Sequence, residues 1–195
     1  MLKVAHRINT LKGLAEVPAE YGVEVDLRND GKKIILNHDP FSGGALFEDF
    51  CKNYRHALLL LNIKTEGIEH EVLRIVKKFG IKNYFFLDLT FPTILKLSEE
   101  GEKNIAVRFS EYEPIENALA LKGKVKWIWI DTFTKLPLTP QSYRKIKKFE
   151  LKIFVVGPDR WNRFNDIEKV KGYFAKNRMN IDAVMSELSL LEKWD

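Results

Sequence analysis

The chain has 195 residues, 45% of them hydrophobic, 12% aromatic and 30% charged, with a net charge of +5. This is the balance of a globular protein, and the length suits one well-buried domain over residues 1–195. The basic excess is mild and carries no groove-reading motif, so nucleic acid is not an expected partner, although the field would draw an anionic substrate.

Cys51 is the only cysteine, which excludes a disulfide framework and a thiolate metal cluster. The first residues lack a signal-peptide pattern, and the apolar run "ALLLLNI" is far shorter than the ~20 residues that span a bilayer. A cytoplasmic protein with no membrane insertion is the expectation; oligomeric state is left open.

In chain order, strands are predicted at Lys3–Ala5, Val23–Leu27, Ala57–Ile63, Tyr84–Leu87, Ile105–Phe109, Lys126–Ile130, Lys152–Val156 and Ala183–Met185. Helices are predicted between them, at about Leu11–Tyr21, Leu46–Tyr54, Ile68–Phe79, Thr90–Ser98, Ile115–Leu121, Pro140–Lys148 and Asp166–Asn177. In "GIEHEVLRIVKKFG" the residues Ile68, Val72, Ile75, Val76 and Phe79 follow helical spacing, and Gly80 stands at the stop. "LRNDGKKIILNHD" reads as a hairpin after the second strand, because Asp-Gly suits a tight turn. Apolar strands alternating with helices indicate a buried parallel sheet, and their number fits a compact TIM-type (β/α)8 barrel. An open doubly wound sheet is the alternative, against which no glycine-rich phosphate loop follows the first strand.

Barrel enzymes carry their chemistry at the C-terminal strand ends, and polar residues gather there in this sequence. The first strand ends on His6-Arg7, the second carries Glu24 and Asp26, and the hairpin leads to His38-Asp39. The third strand ends on "NIKTEG" with Asn62, Lys64 and Glu66, the fourth on Asp88, the fifth on "RFSEYE" with Arg108, Glu111 and Glu113, the sixth on Asp131 and the eighth on Ser186-Glu187. Glu24 and Asp26, two residues apart, share one strand face. Like charges placed so repel unless a cation answers them, whether a metal ion or nearby Arg28 or Lys32.

The segments "AHR…NT", "GVEVDLRNDGKKIILNHD" and "LLNIK" resemble the N-terminal half of the glycerophosphodiester phosphodiesterase family, within the phosphatidylinositol phospholipase C-like phosphodiesterases. The tight "HRIN" spacing is also similar to sphingomyelinase D enzymes, and the likeness covers roughly residues 3–64. "NIDAVMSE" looks like the family's closing strand. The resemblance implies a TIM-type barrel, His6 and His38 as an acid–base pair, and Mg²⁺ or Ca²⁺ held by Glu24, Asp26 and the Asn62 position. It implies Arg7 and Lys64 as phosphate ligands and a small-molecule phosphodiester as substrate. Arg108, Glu111 and Asp131 are the candidates for reading the substrate's polyol portion.

Three departures stand out. Ile8 occupies the position where the family has glycine, the Pro-Glu before Asn-Thr is absent, and Asn62 replaces a carboxylate. An amide oxygen can ligate Mg²⁺ or Ca²⁺ but adds no negative charge; either the metal binds more weakly, or Glu66 or Asp88 completes the site. Two other readings stay open: a non-catalytic phospho-ligand-binding protein on a degenerate barrel, and a sugar-phosphate isomerase or aldolase with Lys64 as a Schiff-base amine.

Overall fold

The structure is a computed structural model that describes all 195 residues. It contains two compact units: an N-terminal unit of Ala5–Thr90, and a C-terminal unit of Met1–Val4 with Phe91–Asp195. No helix is long and apolar enough to cross a membrane.

The N-terminal unit runs α1 (Leu11–Glu16), β2 (Gly22–Asp30), β3 (Lys33–Leu36), β4 (Ala45–Leu46), α2 (Phe47–Asn53), β5 (Leu58–Ile63), α3 (Glu69–Lys78) and β6 (Tyr84–Leu87). Its parallel core is β2-β5-β6, with Glu24 opposite Leu60 and Asp26 opposite Asn62. From Leu27 the long β2 strand continues in an antiparallel pairing with β3, which in turn pairs with β4. Asp30 and Lys33 close the hairpin, and Gly31 takes φ +56° in the turn, a left-handed conformation that costs glycine little. β5 is buried along its whole length, as expected of a strand covered on both faces. Burying each of its leucines contributes about 2–3 kcal/mol before chain entropy is counted.

The predicted helix over residues 11–21 is shorter than expected. Thr10 caps its start by accepting from Gly13 N, and it ends at Glu16 because Val17 precedes Pro18 and takes an extended ψ of 130°. α3 behaves as its spacing predicts. It buries Val72, Ile75 and Val76 and is closed by Gly80 at φ +66°, with Ile81 N bonded back to Val76 O.

The C-terminal unit carries β1 (Leu2–Ala5, its last residue counted with the other unit), β7 (Ala106–Phe109), β8 (Trp127–Ile130), β9 (Lys152–Val156) and β10 (Ala183–Ser186), in the order β1-β10-β9-β8-β7. The β7–β8, β8–β9 and β9–β10 pairings are parallel. The connecting helices are α4 (Phe91–Glu99), α5 (Ile115–Ala120), α6 (Pro140–Lys148) and α7 (Ile167–Lys176). α6 starts where Thr139 and Ser142 form a reciprocal cap followed by Pro140, which is why its bounds match the sequence reading. Three short 3₁₀ turns, at Pro158–Trp161, Phe164–Asp166 and Leu188–Trp194, were not expected.

Candidate active site

Seven of the ten candidate residues lie in the N-terminal unit: Glu24 and Asp26 within β2, Asn62 near the end of β5, His6, Arg7 and Lys64 just past β1 and β5, and His38 in the loop after β3. The hairpin brings the β3 end back to β2: Asn37 N donates to Asp26 O at 3.0 Å, one residue before His38. Ile8 N donates to Glu24 O at 2.8 Å, which lays the His6-Arg7 segment along the same strand. Ile8 itself turns into the core, so this chain fills with a side chain the place where glycine was expected.

Glu24 and Asp26 are each about 1% exposed, and they share a face as their spacing requires. Glu24 Oε2 accepts from Arg7 N at 2.7 Å, and Oε1 accepts from Asn62 Nδ2 at 2.8 Å. His6 Nε2 stands 4.0 Å from Glu24 Oε2. Burial, and then the Asp26 charge, push the Glu24 carboxyl up to about 7, against smaller opposing effects of Asn62, Arg7 N–H and Lys64. Asp26 is gripped at two points by Asn9, which donates from Nδ2 to Oδ2 at 2.8 Å and accepts from Asp26 N at 2.9 Å.

The charge answering Asp26 is local. Lys64 Nζ lies 3.5 Å from Asp26 Oδ1 and 3.5 Å from Asp88 Oδ2, and Arg7 Nε lies 3.6 Å from Asp26 Oδ2. Arg28 and Lys32, the cations first suggested by the sequence, make no such pair: Arg28 donates to carbonyl oxygens and Lys32 sits in the exposed turn. Of the two carboxylates considered as supplements to Asn62, Asp88 joins the cluster through Lys64, whereas Glu66 accepts from Thr90 Oγ1. Arg7 at φ +53° and Asp88 at φ +62° hold left-handed backbones, a strained conformation for residues with a Cβ and common at functional sites.

His38 is more open than His6. Its Nδ1 faces Asp39 Oδ1 at 2.8 Å, and this hydrogen bond, with smaller help from Arg7 and Arg28, holds the Asp39 carboxyl below the usual range. Arg28 fixes the His38 backbone, donating from Nε and Nη2 to His38 O and from Nη1 to Lys64 O. Asn9 is a positioning residue absent from the sequence reading, and Arg28, expected there as a possible counter-charge, positions backbone instead. Arg28 had a signal, since it follows Glu24 and Asp26 at the same two-residue period.

No cluster of three or more His, Cys, Asp or Glu side chains could hold a metal ion. The donors that remain still suit a hard divalent cation: two buried carboxylates and Asn62 Oδ1, an amide oxygen buried with no hydrogen-bond partner. A Schiff-base role for Lys64 is not supported, because its nitrogen lies between two carboxylates rather than in the apolar pocket such an amine needs. Cys51 is buried, its thiol pushed up to about 12 by desolvation, and offers no nucleophile.

The other three candidates belong to the C-terminal unit. Arg108 pairs with Asp131, which also accepts from Trp129 Nε1 at 2.9 Å, and the guanidinium lies over the Trp129 ring. Burial pushes the Asp131 carboxyl up to about 6 despite Arg108. Glu111 Oε1 accepts from Thr134 N and Oγ1, bridging the loops after β7 and β8.

Neither a protein-family sequence model nor a curated protein sequence matches this chain. Solved structures do. A protein assigned as a glycerophosphoryl diester phosphodiesterase from Agrobacterium tumefaciens superposes with a TM-score of 0.73 at 13% identity, over 99% of this chain and 96% of that one. A glycerophosphodiester phosphodiesterase from the same organism gives 0.68 at 12% identity over 99% of both chains. One from Parabacteroides distasonis gives 0.67 at 10% identity, over 99% of this chain and 85% of that one. The chain has their fold. It is the α/β, TIM-barrel class that the strand and helix order predicted, with the hairpin inserted after the second strand.

Proposed function

We propose that the N-terminal unit carries the active site of a metal-dependent phosphodiesterase acting on a soluble glycerol- or sugar-phosphate diester. The observation that carries this reading is the buried Glu24–Asp26 pair, with Asn62 Oδ1 unpartnered beside it and His6, Arg7 and Lys64 around it. The fold shared with structures described as glycerophosphodiester phosphodiesterases supports it. Glu24, Asp26 and Asn62 would hold Mg²⁺ or Ca²⁺, which when bound stabilises charge on phosphate oxygens and acidifies a nearby hydroxyl.

Arg7 and Lys64 bind the phosphodiester, and their positive charge favours the extra negative charge of the transition state. A neighbouring substrate hydroxyl attacks phosphorus, forming one P–O bond as the bond to the leaving alcohol breaks. One histidine of the pair His6 and His38 takes the hydroxyl proton, and the other protonates the leaving oxygen. Asp39 fixes the His38 ring through Nδ1, the second-partner contact that sets a histidine's tautomer and basicity. Water then opens the cyclic phosphate. Arg108, Glu111 and Asp131 are proposed to read the polyol portion, and the cytoplasm is the proposed setting.

A second reading has its own observation. Asn62 Nδ2 donates to Glu24, and Arg7 and Lys64 already answer Asp26, so both buried carboxylates have protein partners without a metal, as they would in a phospho-ligand-binding protein. Phosphodiester cleavage, measured against a panel of soluble glycerol and sugar diesters with Mg²⁺, with Ca²⁺ and with chelator, separates the two. Chelator-sensitive turnover supports the enzyme. Ligand binding without turnover in any metal replaces it with the binding protein.

A further inference from the structure

The Arg28 guanidinium makes no ion pair, although its charge reaches the exposed Asp39 carboxyl. Three of its five N–H groups go to the carbonyl oxygens of His38 and Lys64, and two remain without a protein acceptor. A guanidinium fixed by neutral carbonyls keeps its full charge and a set orientation, which suits it to paired oxygens of an anion.

That charge faces a cavity of about 750 Å³ within the N-terminal unit, walled by Arg28 and Lys64 and by Phe41, Ser42 and Gly43 of the loop after His38. Lys64 is shared with the carboxylate cluster, so the cavity adjoins the proposed catalytic centre. The loop is held in place: Asn37 Nδ2 donates to Gly43 O at 2.6 Å, and a Cβ on Gly44 would lie 2.3 Å from Leu36 O. Asp30 also lines the cavity, from the exposed end of β2, where water screens its charge.

We propose that this cavity is an oxyanion site, distinct from the scissile phosphate, that takes a phosphomonoester or carboxylate carried on one alcohol of the substrate. The inference extends the function proposed above by naming the substrate class: a phosphodiester with a second anionic group. Arg28 binds that group through its two spare N–H, and the exposed Ser42 hydroxyl, now in a long 3.5 Å contact with Pro40 O, can turn to add a donor at the loop.

Binding without turnover tests this directly. Glycerol 3-phosphate and glycerate, one probe for each anion, are titrated into the full chain while backbone amide NMR shifts are followed. The amides of Asn29–Gly31 and Ser42–Gly43 should shift saturably with at least one probe, and which probe binds tells phosphate from carboxylate. Arg28→Gln should weaken that binding by about ten- to a hundredfold, the weight of a charged hydrogen bond. Ser42→Glu, an exposed change that leaves the Arg28 hydrogen bonds intact, should weaken it similarly and decides the matter if Arg28→Gln does not fold. Arg7→Gln should leave these shifts in place. Shifts confined to Arg7 and Ile8, or binding at the loop that is indifferent to folded Arg28→Gln and Ser42→Glu, overturn the proposal. An absence of turnover in the diester panel bears on the catalytic reading and leaves this result standing.

Discussion

Asn62 Nδ2 donates a 2.8 Å hydrogen bond to Glu24 Oε1 while Asn62 Oδ1, on the same amide, has no partner in a buried site. An amide between two roles gives a sharp expectation for Asn62→Asp. The added carboxylate would face Glu24 with no donor between them, so without divalent ions the variant should be less stable by ~1–3 kcal/mol, or roughly 2–10 °C in Tm. Mg²⁺ or Ca²⁺ should restore that loss and stabilise the variant more than it stabilises wild type, because the third charge tightens the site. Thermal melts with chelator and with each ion check this. A variant as stable as wild type in chelator, and equally indifferent to both ions, would show that position 62 does not face a cation.

His6→Ala and His38→Ala should each lower turnover by ~10²–10⁴, the weight of a positioned acid or base. Stability should change less for His38, which is partly exposed, than for His6, whose ring is close to the buried Glu24. Steady-state kinetics on one diester, with metal saturating, reads the effect. If either variant retains wild-type kcat, that histidine is no part of the proton transfer.

Asn9→Ala removes both hydrogen bonds that hold Asp26 and leaves Asp26 N without its acceptor. The expected cost is ~1–3 kcal/mol in urea denaturation, with weaker divalent-ion binding by calorimetry because the carboxylate loses its fixed orientation. Asn9→Asp is the informative companion. It keeps an acceptor for Asp26 N but sets a second charge against Oδ2, so it should be worse than alanine at pH 7.

What the sequence made legible followed from short-range rules. Period-two spacing put Glu24 and Asp26 on one face, Asp30-Gly31 marked the hairpin, and the helix over Pro140–Lys148 starts where its sequence predicts. Tyr84–Leu87, Lys152–Val156 and Pro140–Lys148 came out with the predicted bounds. What stayed hidden depends on chain returning from afar. Asn9 meets Asp26 across 17 residues and Arg28 meets Lys64 O across 36, and no local pattern encodes either contact. The two-residue β4 strand and the 3₁₀ turns are too short to show a period. α1 stops short of its predicted Tyr21 because Pro18 drives Val17 into extended backbone.

The last expectation concerns pH and the C-terminal unit. Burial raises Asp131 from an ordinary 3.8 to about 6, so the folded state favours its protonated form more than the unfolded chain does. Between these values the native protein holds more protons than the unfolded one, and stability must fall as pH rises. The contribution is therefore greatest below about pH 4, declines up to about pH 6 and is constant above. Asp131→Asn cannot titrate, and so should remove this decline. It also removes an attraction to Arg108 that already holds Asp131 below where burial alone would put it. The difference in Tm, variant minus wild type, should then be more favourable to the variant at pH 7 than at pH 4 by roughly 2–8 °C. Melts at the two pH values in one ionic strength test it. A difference that is flat, or that runs the other way, would mean that Arg108 outweighs burial and keeps Asp131 ionised through the whole range.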